Sequence, residues 1–255
     1  MEKKINLINN PKKILIFIPA FNVERHLDAV FNSIPKKIFF QRKNKISILA
    51  INDCSKDLTL QKLYEIQKKN SKRFFIFNNK KNLGYGGVQK KAYTYAIKKK
   101  FDYVIMLHGD GQYDPKILPK FISNLQFTNY DAIFGTRMHS YKSAIKGGMP
   151  AYKFIGNIFL TKIQNIILGT KFSEFHSGYR SYKIASLKKI PFQNFSNNFH
   201  FDTEIIIEHV IKKLSILEIP IPTKYGTQIS NLKSIPYGLN IIKTMFKYKI
   251  KNLSN

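Results

Sequence analysis

Tyr103-Val104-Ile105-Met106-Leu107-His108-Gly109-Asp110-Gly111-Gln112-Tyr113-Asp114-Pro115 sets five apolar residues directly before a short acidic, glycine-bearing turn. The apolar run reads as a buried parallel strand, and an acid at the carboxyl end of such a strand sits where open α/β sheets bind charged ligands. A hard cation such as Mg²⁺ takes one or two carboxylates and completes its shell with substrate phosphate and water, so one acid plus a nucleotide diphosphate suffices. The segment points to metal-assisted nucleotide chemistry. Taken alone, it is equally an acidic turn whose Asp114-Pro115 caps and opens the next helix.

On either side of it, short apolar runs alternate with longer amphipathic ones. Ile14 to Ile18 predicts a strand closed by Pro19, and Glu24 to Ile34 a helix. Ile46 to Ile51 predicts a second strand, Leu58 to Lys69 a second helix, and Phe74 to Phe77 a third strand. A helix over Gly87 to Lys99, the strand ending at Leu107, a helix over Pro115 to Leu125 and a strand over Asp131 to Phe134 follow. Continuous apolar strands separated by helices imply a doubly wound, mostly parallel central sheet with helices on both faces, an α/β core over the first 137 residues. Beyond it, Met138 to Tyr152 reads as a loop, Ile155 to Leu168 as a helix halted by Gly169, and Ser173 to Tyr182 as turn-rich. A helix over Asp202 to Lys213 and a short strand over Ser215 to Ile219, stopped by Pro220 and Pro222, complete the pattern.

The chain has 255 residues, 44% of them hydrophobic, enough to bury the core of one large α/β domain. Its formal charge of +28 comes from 43 basic and 15 acidic residues, and nearly all of the excess is lysine. Arginine stands only at Arg25, Arg42, Arg73, Arg137 and Arg180, among the abundant Ile and Asn that AT-biased coding produces. Bidentate readers of phosphate and bases favour arginine, so no nucleic-acid partner is expected. The charge still motivates a rival reading, a nucleic-acid or anionic-surface binding protein on an α/β scaffold. Cys54 is the single cysteine, which excludes an intramolecular disulfide and a cysteine zinc cluster and fits a reducing compartment. Met1 to Lys13 is polar and basic, unlike a signal peptide, and no run reaches the ~18–20 apolar residues of a membrane span. A cytoplasmic protein, peripheral at most on the inner face of the membrane, is the expectation.

Several strand ends supply polar groups to one edge of the sheet. The first gives Pro19-Ala20-Phe21-Asn22-Val23-Glu24 and the second Asn52-Asp53-Cys54-Ser55-Lys56-Asp57. Asn22 and Asp57 are expected to cap the helices that follow them. Asp53, at the strand terminus itself, is placed to accept from a base or a ribose hydroxyl. Asn82-Leu83-Gly84-Tyr85-Gly86-Gly87 offers a close backbone approach and free N–H groups at a helix start, or simply a glycine turn. It is not a dinucleotide fingerprint, which would follow the first strand. A nucleotidyltransferase, a second rival, would also normally carry its glycine-rich loop there.

These three motifs, with His108-Gly109-Asp110-Gly111-Gln112 and Gly135-Thr136-Arg137, resemble the ordered motifs of family 2 glycosyltransferases, in particular the dolichol-phosphate-mannose-synthase-like branch. The likeness covers about the first 190 residues well and the rest loosely. It implies a GT-A fold and inverting transfer of a sugar from a UDP- or GDP-sugar. It implies a domain over residues 1–225, with the nucleotide-sugar part in 1–137 and the acceptor part in 138–225. By the same resemblance Pro19, Ala20, Phe21, Glu24 and Asp53, with Gly84 and Gly86, would hold the nucleotide sugar. Asp110 would ligate a divalent metal, Mg²⁺ or Mn²⁺, with Gln112 a second candidate ligand. The family commonly has Asp where this chain has His108, and imidazole suits Mn²⁺ better than Mg²⁺. His108 stands as ligand, phosphate donor or spacer, with the non-ligand roles favoured.

Ser173-Glu174-Phe175-His176-Ser177-Gly178-Tyr179-Arg180 resembles the family segment in which an acid precedes Gly by four positions. Glu174 would then be the carboxylate nearest the reacting carbon, and the general base if the acceptor is a hydroxyl. A polyprenyl-phosphate acceptor needs no base, and Arg137, Arg180 and Lys146 would neutralise its phosphate or the departing diphosphate. A glycan precursor of the cell surface is the other acceptor class the resemblance implies. Arg180 could instead pair with Glu204 or Asp202, and Asp202 could position an acceptor-loop residue. His176 and His200 are expected to orient loops rather than catalyse. Residues 226–255 form a basic tail, in which Ile235 to Leu253 is an amphipathic helix suited either to an anionic membrane interface or to packing on the domain.

Overall fold

The computed structural model describes residues 11–225 and 234–253, so most of the polar N-terminal stretch and the start of the basic tail lie outside the described residues. Seven strands form one sheet: β1 (Lys12–Ala20), β2 (Asn44–Asn52), β3 (Phe74–Asn78), β4 (Tyr103–Met106), β5 (Ala132–Thr136), β6 (Arg180–Lys183) and β7 (Ile216–Pro220). Their order is β3-β2-β1-β4-β6-β5-β7. All neighbours run parallel except β6, which lies antiparallel between β4 and β5.

The apolar strands are buried on both faces, and their two-residue alternation sorts side chains into two layers. Ile14, Ile16 and Ile18 join the layer under α1 (Glu24–Asn32), α2 (Thr59–Lys69) and α4 (Leu118–Phe127). Leu15 and Phe17 join the layer under α3 (Gly84–Lys98) and α8 (Phe201–Ile211). Burying each such side chain stabilises the fold by about 1.5–3 kcal/mol. Three further helices are α5 (Tyr141–Lys146), α6 (Ala151–Leu168) and α7 (Ile184–Leu187). The last, α9 (Ser234–Leu253), sends Ile241 and Met245 into the second layer, so this part of the tail packs on the domain.

Three expectations are corrected. The turn-rich reading of Ser173 to Tyr182 misses β6, a strand with no apolar alternation whose Arg180, Ser181 and Tyr182 are all buried. The loop read over Met138 to Tyr152 contains α5, capped by the Ser140 hydroxyl accepting from the Ser143 N–H. Asn22 does not cap α1: its φ is +53°, and its Oδ1 accepts from the Lys56 N–H across the sheet edge. Asp57 does serve its own helix, accepting from the Thr59 N–H, while its other oxygen accepts from the Glu24 N–H. The loops after β1 and β2 are thereby stitched into one unit.

Candidate active site

At the carboxyl end of the parallel strands the sheet opens into a cavity of about 1110 Å³. One part of its wall comes from strand ends: Pro19, Ala20, Phe21 and Glu24 after β1, Asp53 after β2, and His108, Asp110 and Gln112 after β4. Facing them are Arg137 after β5, Lys153, Asn157 and Leu160 of α6, His176, and Tyr237 of α9.

Asp53 is buried and its carboxylate is spent on the chain itself. Oδ1 accepts from Asn79 Nδ2 at 2.7 Å and the Leu83 N–H at 2.8 Å, and Oδ2 accepts from the Gly84 N–H at 3.0 Å. It caps α3 from thirty residues away, so its contribution is to fix the glycine turn against the cavity. Gly84, at φ +77°, lines that cavity. Gly86 does not: it packs behind the wall, where an added Cβ would lie 2.4 Å from the Ser196 carbonyl and 2.7 Å from Phe201 Cβ.

Asp110 faces the cavity with Oδ1 accepting from the Gln112 N–H at 3.0 Å, a local turn that aims the carboxylate outward. Asp114 accepts from the Lys116 N–H and Pro115 starts the next turn, so the quoted segment serves both as site and as helix entry. His108 stands between the rings of Tyr85 and Tyr113. Its Nε2 has no hydrogen-bond partner among the described residues and is pressed against Gly178, where a Cβ would sit 2.5 Å away. Burial pushes the imidazole below its ordinary pKa despite Asp110 and Asp202, which favours the neutral ring. Among the described residues no three His, Cys, Asp or Glu side chains converge. The outward Asp110 carboxylate nevertheless suits a cation whose remaining ligands come from a diphosphate and water, whereas His108 Nε2 is turned into Gly178.

The opposite wall is built on an ion pair. Glu174 is buried behind the cavity; it accepts from the Arg137 backbone N–H at 2.6 Å, from Arg137 Nε at 3.0 Å and Nη2, and from Asn157 Nδ2 at 2.9 Å. Burial alone would raise its pKa, but Arg137 beside it holds the carboxyl below the usual range. Arg137 also reaches Tyr225 Oη and the His176 carbonyl. Glu218 of β7 fixes the Glu174 loop by accepting from the Ser173 and Glu174 N–H groups. Lys153 Nζ lies 5.2 Å from the Tyr225 ring, and burial together with Arg137 lowers its pKa.

Arg180 sits beneath the floor, not in the cavity. It donates to the carbonyls of Ser177, Asp202 and Phe175, and its Nη2 is 3.7 Å from the Asp202 carboxylate. Asp202 in turn accepts from Tyr85 Oη and Gln89 Nε2, each at 2.9 Å. The alternative pairing of Arg180 with Asp202 is therefore the one found. His176 is half-buried, the enclosure of its ring pushes its pKa down to about 3, and its Nδ1 is 3.0 Å from Tyr237 Oη.

A family model, "Glycosyl transferase family 2", matches residues 15–191. The chain is a family 2 glycosyltransferase. An uncharacterized protein of Methanocaldococcus jannaschii is 30% identical to this glycosyltransferase over 98% of the chain and 96% of the relative. A UDP-N-acetylglucosamine–dolichyl-phosphate N-acetylglucosaminyltransferase of Methanococcus voltae is 26% identical over 91% of the chain and 96% of the relative. Glucosyl-3-phosphoglycerate synthase of Mycobacterium tuberculosis, solved with Mn²⁺, UDP-glucose and phosphoglyceric acid, superposes with a TM-score of 0.68. That likeness covers 93% of this chain and 80% of the synthase at 13% identity, and it marks the fold as GT-A. The enzyme uses a nucleotide-sugar donor.

Sequence reasoning missed Lys153, Tyr225 and Tyr237 as cavity residues of the glycosyltransferase. The signal was faint: Lys153 falls between the predicted loop and the predicted helix, Tyr225 at the very end of the predicted domain and Tyr237 in the predicted tail, and only the packing of α6, α9 and the segment after β7 brings them together. Among the described residues no helix is long and apolar enough to cross a membrane.

Proposed function

We propose that the enzyme moves a sugar from a UDP- or GDP-sugar to an acceptor that already carries a phosphate, with inversion at the anomeric carbon. The observation that supports this reading is the state of Glu174. A hydroxyl acceptor needs a base to take its proton, and Glu174 is spent on Arg137 and Asn157 behind the cavity wall. Asp202 is likewise engaged by Tyr85, Gln89 and Arg180. A phosphate oxyanion attacks without a base, and the cations available to it on that wall are Lys153 and Arg137. A polyprenyl phosphate is the acceptor class favoured, in keeping with the names of the Methanococcus voltae relative and of a second relative, an undecaprenyl-phosphate mannosyltransferase of Micrococcus luteus.

In this scheme Pro19, Ala20, Phe21 and Glu24 border the base and ribose, while Asp53 holds the glycine turn in place. Asp110, with His108 or Gln112 beside it, would hold Mg²⁺ or Mn²⁺. Such an ion, when bound, neutralises the diphosphate as it departs. The acceptor oxyanion forms the new bond to the anomeric carbon as the carbon–oxygen bond to the diphosphate breaks, and the nucleoside diphosphate leaves with the electron pair. Arg137 and Lys153 orient the acceptor phosphate; Arg180 and Glu174 hold the segment that shapes its wall. The reaction is expected at the cytoplasmic face of a membrane.

The test is a screen of UDP- and GDP-sugars with Mg²⁺ or Mn²⁺, reading thermal stabilisation and nucleotide release with a short-chain polyprenyl phosphate or the matching alcohol. Release with the phosphate and not the alcohol is expected. Equal turnover of the alcohol would overturn the acceptor assignment.

A further inference from the structure

Three of the four residues that helix α6 buries are polar. At helical spacing Asn157, Thr161 and Gln164 precede Leu168, and Gln164 has no hydrogen-bond partner among the described residues. On the opposite side the helix exposes Ile155 (65%), Phe159 (59%) and Ile166 (72%), with Lys162 in the same stripe. An ordinary surface helix shows the reverse arrangement. Helix α9 packs along α6, with Gly238 near Leu160, and exposes Ile235 (79%), Leu239 (64%) and Phe246.

Charge indicates what covers these residues. There is no Asp or Glu between Arg137 and Glu174, and none from Ile219 to Asn255, so α5, α6 and α9 are entirely without acids. Lys142, Lys146, Lys162, Lys243 and Lys247 are exposed on them. Apolar side chains flanked by lysines without a single acid match the interfacial zone of an anionic bilayer. The inner faces of α6 and α9 supply Lys153, Leu160 and Tyr237 to the cavity, so the outward apolar stripes lie on the very elements that wall it.

We propose that the outward faces of α6 and α9 form a docking surface for the headgroup layer of an anionic lipid bilayer, seating the acceptor side of the cavity at the membrane. This goes beyond the acceptor assignment and does not rest on it, because a bilayer can be bound in the absence of donor and acceptor.

The test is flotation of the full chain with vesicles of phosphatidylcholine containing phosphatidylglycerol, compared with pure phosphatidylcholine, no sugar nucleotide or polyprenyl phosphate being present. Binding to the anionic vesicles is expected, weakened by salt. The double variant I155E/F159E is expected to lose about tenfold or more of it. Its thermal midpoint and its stabilisation by UDP with Mn²⁺ should be unchanged. K68E/K69E, on α2, should bind nearly as the parent does; an equal loss there would mean diffuse lysine attraction and would overturn the docking surface. So would absence of binding by the parent chain, or undiminished binding by I155E/F159E. A stable dimer in solution that I155E/F159E dissociates would overturn it too, by identifying a second copy as the occupant.

Discussion

Arg137 and Glu174 close on each other as a buried ion pair, with the Arg137 backbone N–H 2.6 Å and Nε 3.0 Å from the Glu174 carboxylate. Removing one partner of such a pair leaves an uncompensated charge and costs about 3–5 kcal/mol. Glu174→Ala should lower the unfolding free energy by that amount in urea denaturation, and Glu174→Gln, which keeps an acceptor oxygen, by less. With a phosphate acceptor, Glu174→Gln should leave the pH profile of turnover unchanged in shape; loss of an acidic limb would restore Glu174 as a base.

Buried His209 and half-buried His176 make stability fall in acid. Burial pushes His209 down to about 4 and His176 to about 3, from an ordinary value of 6.5. The unfolded chain therefore takes up a proton below pH 6.5 while the folded chain does not. Stability is fully present above that value and is lost as pH falls toward 4, by about 1.4 kcal/mol per pH unit for each histidine. Denaturation midpoints between pH 7 and pH 4 check this, and His209→Gln should reduce the slope.

Asp110→Asn should fold normally, because the side chain faces the cavity and its one described hydrogen bond is to the neighbouring Gln112 N–H. Turnover is expected to fall about 10²-fold or more, with loss of the metal-dependent part of UDP stabilisation. Thermal shift with and without Mn²⁺ separates that loss from unfolding.

Gly178→Ala places a methyl group 2.5 Å from His108 Nε2 and 3.0 Å from Tyr85 Oη. Overpacking of this kind costs about 1–3 kcal/mol. Because the ring that must yield lies two residues from Asp110, donor KM should rise more than acceptor KM, and steady-state kinetics with each substrate varied would show it.

Lys153→Ala should act on the other wall. The acceptor KM is expected to rise about tenfold, with donor-dependent stabilisation unaltered, since one charge-assisted phosphate contact is lost.

The donor side of this site was legible because its residues follow strands that announce themselves. Ile14 to Ile18 and Tyr103 to Leu107 are continuous apolar runs, and Asp110 follows directly after one of them. The start of α3 was misplaced at Gly87 because its cap, Asp53, lies on a different strand end. The strand β6 was illegible for a related reason: Arg180 and Ser181 are buried only because the carbonyls of Ser177, Asp202, Phe175 and Ile133 receive them. No local pattern encodes partners drawn from three separate segments. Glu174 was found by resemblance, but its commitment to Arg137 depends on how β5 meets the following loop, which spacing alone does not give.

The reversed strand β6, inserted between β4 and β5, has a consequence for how the chain assembles. A nascent chain that has emerged only as far as β5 has no neighbour for one edge of β4, since the strand that bridges β4 to β5 comes more than forty residues later. Until Arg180 to Lys183 arrives, one edge of β4 and both edges of β5 stay open to strangers, the condition under which β structure aggregates. Closing the gap between β4 and β5 is then a late event that also seats the Glu174 segment, so a truncation before β6 should yield insoluble protein rather than a smaller nucleotide-binding module.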